Sequence, residues 1–326
     1  MRVSAIIVNL NGGELLRSCI ASPYGELGGP LLEIIVVDNA SSDQSVESVQ
    51  HAFPALEIVR NTENLGFAKA SNQGILASQG ESVLLMNNDA VAKPGSVGSL
   101  VAVMEEDDRI GIVGPQLRNP DGSLQFSYGH FPSVLGVLGG FRARKADRYY
   151  ERTGYEKPHD VDWLTGACLL LRRGMLDEIG LLDEQFFFNY EDVDVCRRAR
   201  NRGWRCVYTP DTAVIHHRAV RSVNPEIIER ILLEKRRSQL RYYRKHGSIK
   251  SFYLIKSLNL AFGMLQLLWS VCAAISNRGS TERARRPQFY RRLLTTVWAT
   301  GWSPNLRSHV EGSGNPGHSR RAVETN

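Results

Sequence analysis

Glu191, Asp192 and Asp194 stand within four residues of one another, directly behind the aromatic run Phe186-Phe187-Phe188-Asn189-Tyr190. The spacing predicts them in the first turn of a helix that ends at Gly203, where free N–H groups and the helix dipole favour negative charge. A solvated acidic helix start is the plain account of such a cluster. Two features favour chemistry instead. The aromatic run would bury the approach to the acids, and a buried acid is costly without a partner or a task. A second acid, Asp89, ends the apolar run Leu84-Leu85-Met86-Asn87-Asn88. Open α/β sheets hold their ligands at such strand ends. Both stretches are therefore expected in one site, with one carboxylate able to take a proton from a hydroxyl and another able to hold a hard cation. Asp194 is expected to point elsewhere and to be structural.

The elements that must position these acids alternate along the chain. Residues 3–8 and 32–38 are β-branched apolar runs, residues 56–59 a shorter one and 82–86 a fourth. Helices are predicted between them, near 14–21, after Ser42-Asp43 and at 67–77, with Ser42 or Asp43 suited to cap the second. That rhythm predicts an α/β fold with a mostly parallel central sheet and flanking helices. Further on, a helix is expected at 96–105, a strand at 110–115 and a strand at 163–173. Two separate strands are expected at 206–208 and 213–217. The irregular, Gly-, Arg- and Tyr-rich residues 128–160 are expected to form a loop over an active-site mouth.

The first turn, Asn9-Leu10-Asn11-Gly12-Gly13, lacks the G-x-G-x-x-G of a dinucleotide-binding unit, and no G-x-x-x-x-G-K-[ST] loop is present. A bound diphosphate would thus need a cation in place of a glycine cradle, and Asp89 is placed to hold one. The five cysteines show no C-x-x-C pair, which fits a reducing compartment and speaks against structural zinc. The N-terminal run is too short for a signal peptide and reads as a strand. The net charge of +6 conceals an asymmetry: 20 Lys/Arg against 28 Asp/Glu up to His216, then 20 against 6. An acidic body with a basic tail points to an anionic surface, nucleic acid or membrane, as the tail's partner.

Six stretches, taken in order, resemble the inverting family-2 glycosyltransferases of the GT-A fold, and among them the bacterial rhamnosyltransferase-like branch. They are Ser4–Asn11, Ile35–Asp43, Asn64–Ala68, Leu85–Ala90, Trp163–Cys168 and Phe188–Trp204. The resemblance implies a nucleoside-diphosphate sugar donor, dTDP- or UDP-linked, with Asn9, Asn11, Asp38, Asn64 and Asn88 around it. Asp38 would accept from the base N–H; its alternative is a cap for the following helix. Asp89 would bind Mg²⁺ or Mn²⁺, in a motif whose first acid is here Asn87, and His216 would complete the metal shell, with His217 the competing assignment. Asp192 falls at the catalytic base, with Glu191 beside it orienting the acceptor. Near the donor, Lys69 is either a phosphate contact or a solvated surface lysine. The glycine usual shortly after the histidines is replaced by Arg218-Ala219-Val220, and the Q-x-x-R-W of processive synthases is missing. The implied reaction is metal-dependent, inverting addition of one sugar, rhamnose, to a hydroxyl of a cell-surface polysaccharide or lipid-linked glycan precursor. The alternatives are transfer of another sugar such as galactofuranose, or a non-catalytic nucleotide-sugar sensor.

The expected boundaries are a catalytic domain over 1–222, a helical extension over 223–302 and a disordered tail over 303–326. The first extension helix, 225–246, is expected to align Ile228, Ile231, Leu232, Leu240 and Tyr243 on one face. Residues 257–276 carry no charge and reach the length of a membrane-spanning helix. Basic residues flank them on both sides, which suits a helix lying on the inner face of the cytoplasmic membrane better than one crossing it. Packing on the catalytic domain is the soluble alternative. Nucleic acid is not an expected partner.

Overall fold

The computed structural model describes residues 1–26, 29, 31–137, 154–218, 225–276 and 281–301. β1 (Val3–Asn9), α1 (Gly13–Tyr24), β2 (Leu31–Asp38), α2 (Ser45–Ala52), β3 (Leu56–Arg60), α3 (Phe67–Ala77) and β4 (Ser82–Asn87) alternate along the chain. Next come β5 (Ala90–Ala92), α4 (Ser96–Glu105), β6 (Ile110–Arg118), β7 (Leu124–Gln125), β8 (Tyr128–Gly129), β9 (His159–Asp160), β10 (Trp163–Leu164) and β11 (Cys168–Arg172). They are followed by α5 (Arg173–Ile179), α6 (Glu191–Asn201) and β12 (Arg205–His216), then by the long helices α7 (Pro225–His246), α8 (Ile249–Ser276) and α9 (Thr281–Ala299).

The main sheet has the order β3-β2-β1-β4-β11-β6-β12-β5. Its first four strands are parallel, β11 runs antiparallel to both neighbours, and β12 lies parallel to β6. Alternate residues feed opposite faces, as the period of a strand requires. Ile6, Ile35 and Leu85 enter one core with α3 and α6, whereas Ile7, Val36 and Met86 enter another with α1 and α4. Burial on both faces explains why these strands read as unbroken apolar runs. The register pairs Asn9 with Asp38, and Val8 with Asn87, so the polar residues ending β1, β2 and β4 share one edge.

Several expectations change. The strands expected at 206–208 and 213–217 are one strand, β12, with a register shift between Thr209 and Ala213 around Pro210. Helix α2 starts at Ser45, and Asp43 meets it by accepting the Ser45 amide at 3.2 Å. Within 128–160 the chain forms β8 and β9; residues 138–153 and 303–326 lie outside the described residues. On α7, Leu240 and Tyr243 are buried as expected, but Ile228 and Leu232 are exposed, and Tyr242 is buried in their stead. The helix is buried through its C-terminal half, where Tyr242, Lys245 and His246 meet α6. Tyr242, Tyr243, Phe252, Ile255 and Val297 join the same core as the α6 residues Val193 and Val195.

Candidate active site

The strand ends are tied by side chains. Asn9 donates to Ser41 Oγ and Ser45 Oγ, both at 3.0 Å, and accepts from Asn88 Nδ2 at 2.9 Å. Asp38 accepts the Ser41 amide at 3.2 Å. It closes a turn three residues on and does not cap α2. Asn11 Oδ1 accepts the Ser42 and Asp43 amides at 2.7 and 3.2 Å, joining the β1 and β2 turns. Gly12 has to be glycine, since a Cβ there would collide with both amides of the Asn9–Asn88 pair. Asn64 is drawn away from the strand ends. Its Oδ1 accepts from Asn39 Nδ2 and from the Gly66 amide at 2.9 and 3.0 Å. Asn39, buried and bonded also to Leu65 and Asn61, is the organiser of that loop. Gly66 sits at φ +85° against the Phe187 carbonyl, which accepts the Phe67 amide at 2.8 Å. The loop that follows β3 is thereby fastened to the aromatic run before α6.

Asp89 and His216 are brought together by the β5–β12 ladder, in which His216 faces Ala90. His216 Nε2 lies 3.3 Å from Asp89 Oδ1 and 3.3 Å from Asn87 Nδ2. Its Nδ1 lies 2.8 Å from Gln125 Oε1. The amide nitrogen of Gln125 donates to Asn119 Oδ1 at 2.8 Å and to the His216 carbonyl at 3.2 Å, which fixes which end of the amide faces the ring. The tautomer that donates from Nδ1 to Gln125 leaves Nε2 to accept from the Asn87 amide, beside Asp89 Oδ1. One carboxylate and one oriented imidazole nitrogen suit Mg²⁺ or Mn²⁺ when a diphosphate supplies further oxygens. Among the described residues no cluster of three or more metal-ligating acids, cysteines or histidines exists. His217 contributes only its amide, donated to the Asp89 carbonyl at 3.0 Å.

Asp192 of α6 meets the turn before β11, which pairs with the end of β4. The Asn87 amide donates to the Ala167 carbonyl at 3.0 Å, and the adjacent Gly166 amide donates to Asp192 Oδ2 at 2.9 Å. Asp192 Oδ1 accepts the Val193 amide at 2.8 Å. Two successive left-handed residues, Asn189 and Tyr190 at φ 65° and 75°, deliver the helix start. Such backbone is unfavourable for a tyrosine and persists because its surroundings enforce it. Here the Tyr190 ring is buried and packs 5.6 Å from Tyr242 of α7. Burial pushes the Glu191 carboxyl well above the usual carboxylate range, and the neighbouring charge of Asp192 adds to this. Its Oε2 is buried without a hydrogen-bond partner among the described residues. Asp192 is half-buried and also raised by desolvation, which the Gly166 and Val193 amides partly oppose. Both carboxyls are thus raised, Glu191 the more strongly, because it is the deeper member and no donor reaches its Oε2.

Asp194 meets different surroundings. It is fully buried, and accepts from Arg198 at 2.8 Å, from Lys245 at 2.8 Å and from His246 at 2.6 Å. Burial pushes this carboxyl upward, but the His246 hydrogen bond and the charges of Arg198 and Lys245 overcome it and hold it below the usual range. Arg198 also donates to the carbonyls of Ile179, Gly180 and Leu181 at 2.7, 2.9 and 2.7 Å. The expected structural role of Asp194 is thus given a form: it clamps α6 to the C-terminal end of α7.

Residues 4–180 match the family model described as glycosyl transferase family 2. The chain belongs to glycosyl transferase family 2. It is 33% identical over 235 residues, 66% of this chain and 75% of the relative, to the N-acetylglucosaminyl-diphospho-decaprenol L-rhamnosyltransferase of Mycobacterium tuberculosis. A low-salt glycan biosynthesis hexosyltransferase of Haloferax volcanii is 25% identical over 252 residues, 72% of this chain and 73% of that one. The chain is therefore a glycosyltransferase of the rhamnosyltransferase-like branch. A mannosyltransferase from Pyrobaculum calidifontis, solved with GDP-Man and Mn²⁺, aligns over 92% of this chain and 87% of its own, with a TM-score of 0.51 at 17% identity. GalNAc-T7, solved with UDP, GalNAc and Mn²⁺, aligns over 73% of this chain with a TM-score of 0.53 at 17% identity; the transferase spans about half of that protein, 51%. The fold is GT-A.

Gln125, Asn39, Ser41 and the Gly166 amide were not legible as site residues. Gln125 sits in a two-residue strand with no sequence signal, and a backbone donor has none by nature. Asn39 lay in the second matched stretch, directly after Asp38, and that position was its only signal. Arg218, where the usual glycine is replaced, adopts the left-handed conformation at φ 52° that glycine favours.

Proposed function

We propose that this transferase moves one rhamnose from a dTDP- or UDP-linked donor to a hydroxyl of a lipid-linked glycan precursor, with inversion at the anomeric carbon and with Mg²⁺ or Mn²⁺ bound beside the donor. The observation that carries the proposal is the pairing of the end of β4 with the turn before β11, where the Asn87 amide donates to the Ala167 carbonyl. The Asn87 side chain meets His216, which neighbours Asp89, and the Gly166 amide of that turn holds the carboxylate of Asp192. Asp192 accepts the proton of the attacking hydroxyl while the new C–O bond forms and the bond to the donor phosphate breaks. The leaving nucleoside diphosphate departs from the opposite face with the bonding electrons. Asp89 and His216 would hold the cation, which when bound neutralises the diphosphate charge. Protonated Glu191 donates from its buried carboxyl to the acceptor and orients it. Asp38, Asn9 and Asn88 shape the base and ribose end. The mycobacterial relative, named an L-rhamnosyltransferase acting on N-acetylglucosaminyl-diphospho-decaprenol, supports both the sugar and the acceptor class.

A lipid-borne acceptor also calls for a membrane surface. α8 is long and apolar enough to cross a bilayer. Its polar residues turn inward instead: Asn259 donates to Gln239 of α7 at 3.0 Å, and Gln266 accepts from Tyr290 of α9 at 3.3 Å. Leu265, Leu268 and Trp269 are exposed on the other side, which supports a helix lying on the inner face of the cytoplasmic membrane. The transfer reading is tested by incubating the purified protein with nucleotide sugars and a polyprenyl-diphosphate acceptor, and reading the anomeric configuration of the product by NMR. Transfer from dTDP-rhamnose with inversion is expected; retention, or donor binding without transfer under every condition, overturns it. Release from membranes by alkaline wash is expected for the peripheral reading, and complete resistance overturns it.

A further inference from the structure

The clamp face of α6 borders a second feature that the transfer chemistry does not use. Arg241 and Arg244 lie three residues apart on α7, hence on one helix face. With Asp183, Gln185, Phe186 and Lys245 they line a cleft enclosing about 10 Å³, room for one water molecule or one phosphate oxygen. Arg241 Nη1 and Arg244 Nε are both shut off from solvent with no acceptor among the described residues. Burial lowers both guanidinium pKa values below the ordinary range; Arg237 for Arg241 and Arg241 for Arg244 add to it, and the charges of Glu234 and Asp183 oppose it only in part. The nearby carboxylates are engaged elsewhere, Glu234 Oε1 by Arg237. Asp183 Oδ2 is taken by Lys245 at 2.6 Å and Oδ1 by the Gln185 amide at 3.0 Å. Arg244 reaches only neutral acceptors, Gln185 Oε1 at 3.2 Å and the Gly301 carbonyl at 3.4 Å.

Half-buried cations whose inner nitrogens have no hydrogen-bonded anion are unfavourable, and two guanidiniums presented together match the oxygens of a phosphate. We propose that Arg241 and Arg244 form a phosphate-binding notch, which takes either the headgroup of an anionic phospholipid or a free phosphate. The enclosed floor admits one oxygen and leaves the rest of the ligand outside, as a headgroup or a small ion would sit. Helix geometry places Asp194, on this side, about 200° around α6 from Asp192, so the notch is separate from the sugar-transfer centre. The adjoining surface suits a bilayer. Lys256 ties the end of α9 to α8 through the Trp298 and Thr300 carbonyls, both at 2.9 Å, and Trp298 and Tyr253 are exposed there. The proposal does not rest on the transfer reading, because neither arm of its test uses a sugar.

The test compares full-length wild type, Arg241→Gln/Arg244→Gln, and a control, Lys250→Gln/Arg291→Gln, which removes two exposed charges from the same helical region. Each is melted in phosphate and in chloride at equal ionic strength, and sedimented with phosphatidylglycerol or phosphatidylcholine vesicles. Phosphate is expected to raise the Tm of wild type and control but not of the notch variant. Binding to phosphatidylglycerol is expected to fall about tenfold or more in the notch variant and clearly less in the control. Loss of the phosphate shift with vesicle binding kept identifies free phosphate as the ligand; loss of both identifies the headgroup. Equal vesicle losses in the two variants together with a phosphate shift that survives in the notch variant overturn the site in favour of a diffuse basic surface. Should the notch variant not fold, wild type alone decides: equal melting in phosphate and chloride, with no displacement of phosphatidylglycerol vesicles by phosphate, overturns the proposal.

Discussion

Asp192 and Asp194 stand two residues apart on α6, and everything that separates them is what faces each. Asp194 has Arg198, Lys245 and His246 within 2.8 Å. Asp192 has two backbone amides and, farther away, the charge of Lys235. Glu191 has an oxygen with no partner at all among the described residues. The clamp side is electrostatically complete, whereas the site side is left unfinished in a manner a substrate hydroxyl could complete. Acids with the same local sequence context are thus divided into anchor and reagent by the elements packed around the helix, α7 on one side and the strand turn at Gly166 on the other.

The sharpest way to break this comparison is to exchange charge for shape on each side. Asp192→Asn is expected to lower kcat by about 10²–10⁴-fold, the usual loss for a general base, while its Tm and donor affinity stay near those of wild type. Near-normal turnover would show that the acid left unfinished is not the reagent. Asp194→Asn should do the reverse. Removing one member of a buried ion cluster costs about 3–5 kcal/mol of stability, and activity should follow the folded fraction only. The pH dependence follows the same division. Because the folded state holds Asp194 below the usual range, its stabilisation is complete above about pH 4, the unfolded carboxylate's pKa, and fades as pH falls toward the lower folded value. Acid melts of the Asn variant should lack that limb; an unchanged acid limb would dissociate Asp194 from the clamp.

The extent to which this was readable from the chain follows the same physics. Unbroken apolar runs are local properties, so β1, β2, β4 and α3 could be inferred. The lone joint at Thr209–Ala213 was not: Pro210 reads as a strand breaker, yet β6 continues the pairing across it. Ile228 and Leu232 follow the helical period but stay exposed, because the buried residues of α7 lie in its C-terminal half. Lys245 and His246 sit some fifty residues from Asp194, and Gln125 is 91 residues from His216. No periodicity carries such pairings, and only the folded chain reveals them.

Gln125 offers a graded test on the metal side of the site. Gln125→Leu keeps the volume but removes the acceptor that fixes the Nδ1 proton of His216, so Mn²⁺ affinity in the presence of nucleoside diphosphate should fall about 10–100-fold. Asp89→Ala should abolish the metal-dependent part of nucleotide binding, leaving the affinity measured in EDTA unchanged. Calorimetry of both variants with and without EDTA decides the matter. If both bind as wild type does under either condition, the Asp89–His216 pair is not a cation holder. The unfinished character of the site would then be confined to α6.

The smallest effect is the most diagnostic of an acid kept in place for function. The fold holds Glu191 above the usual range chiefly because it is desolvated, with Asp192 adding repulsion. Between the unfolded glutamate pKa of about 4.3 and the higher folded value, the unfolded chain releases a proton that the folded chain retains. Glu191 is therefore a destabilising residue at neutral pH, and increasingly so as pH rises through that window. Glu191→Gln retains the shape and the neutral hydrogen-bonding character but removes the proton linkage. Its Tm should match wild type near pH 4 and exceed it at pH 7–8, by an amount on the order of 1 kcal/mol or more. Activity should fall even as stability rises, since an amide donates to the acceptor more weakly and cannot share a proton with Asp192. A variant no more stable than wild type at pH 8 would mean that Glu191 finds a compensating partner in solution. The two sides of α6 would then differ in degree rather than in kind.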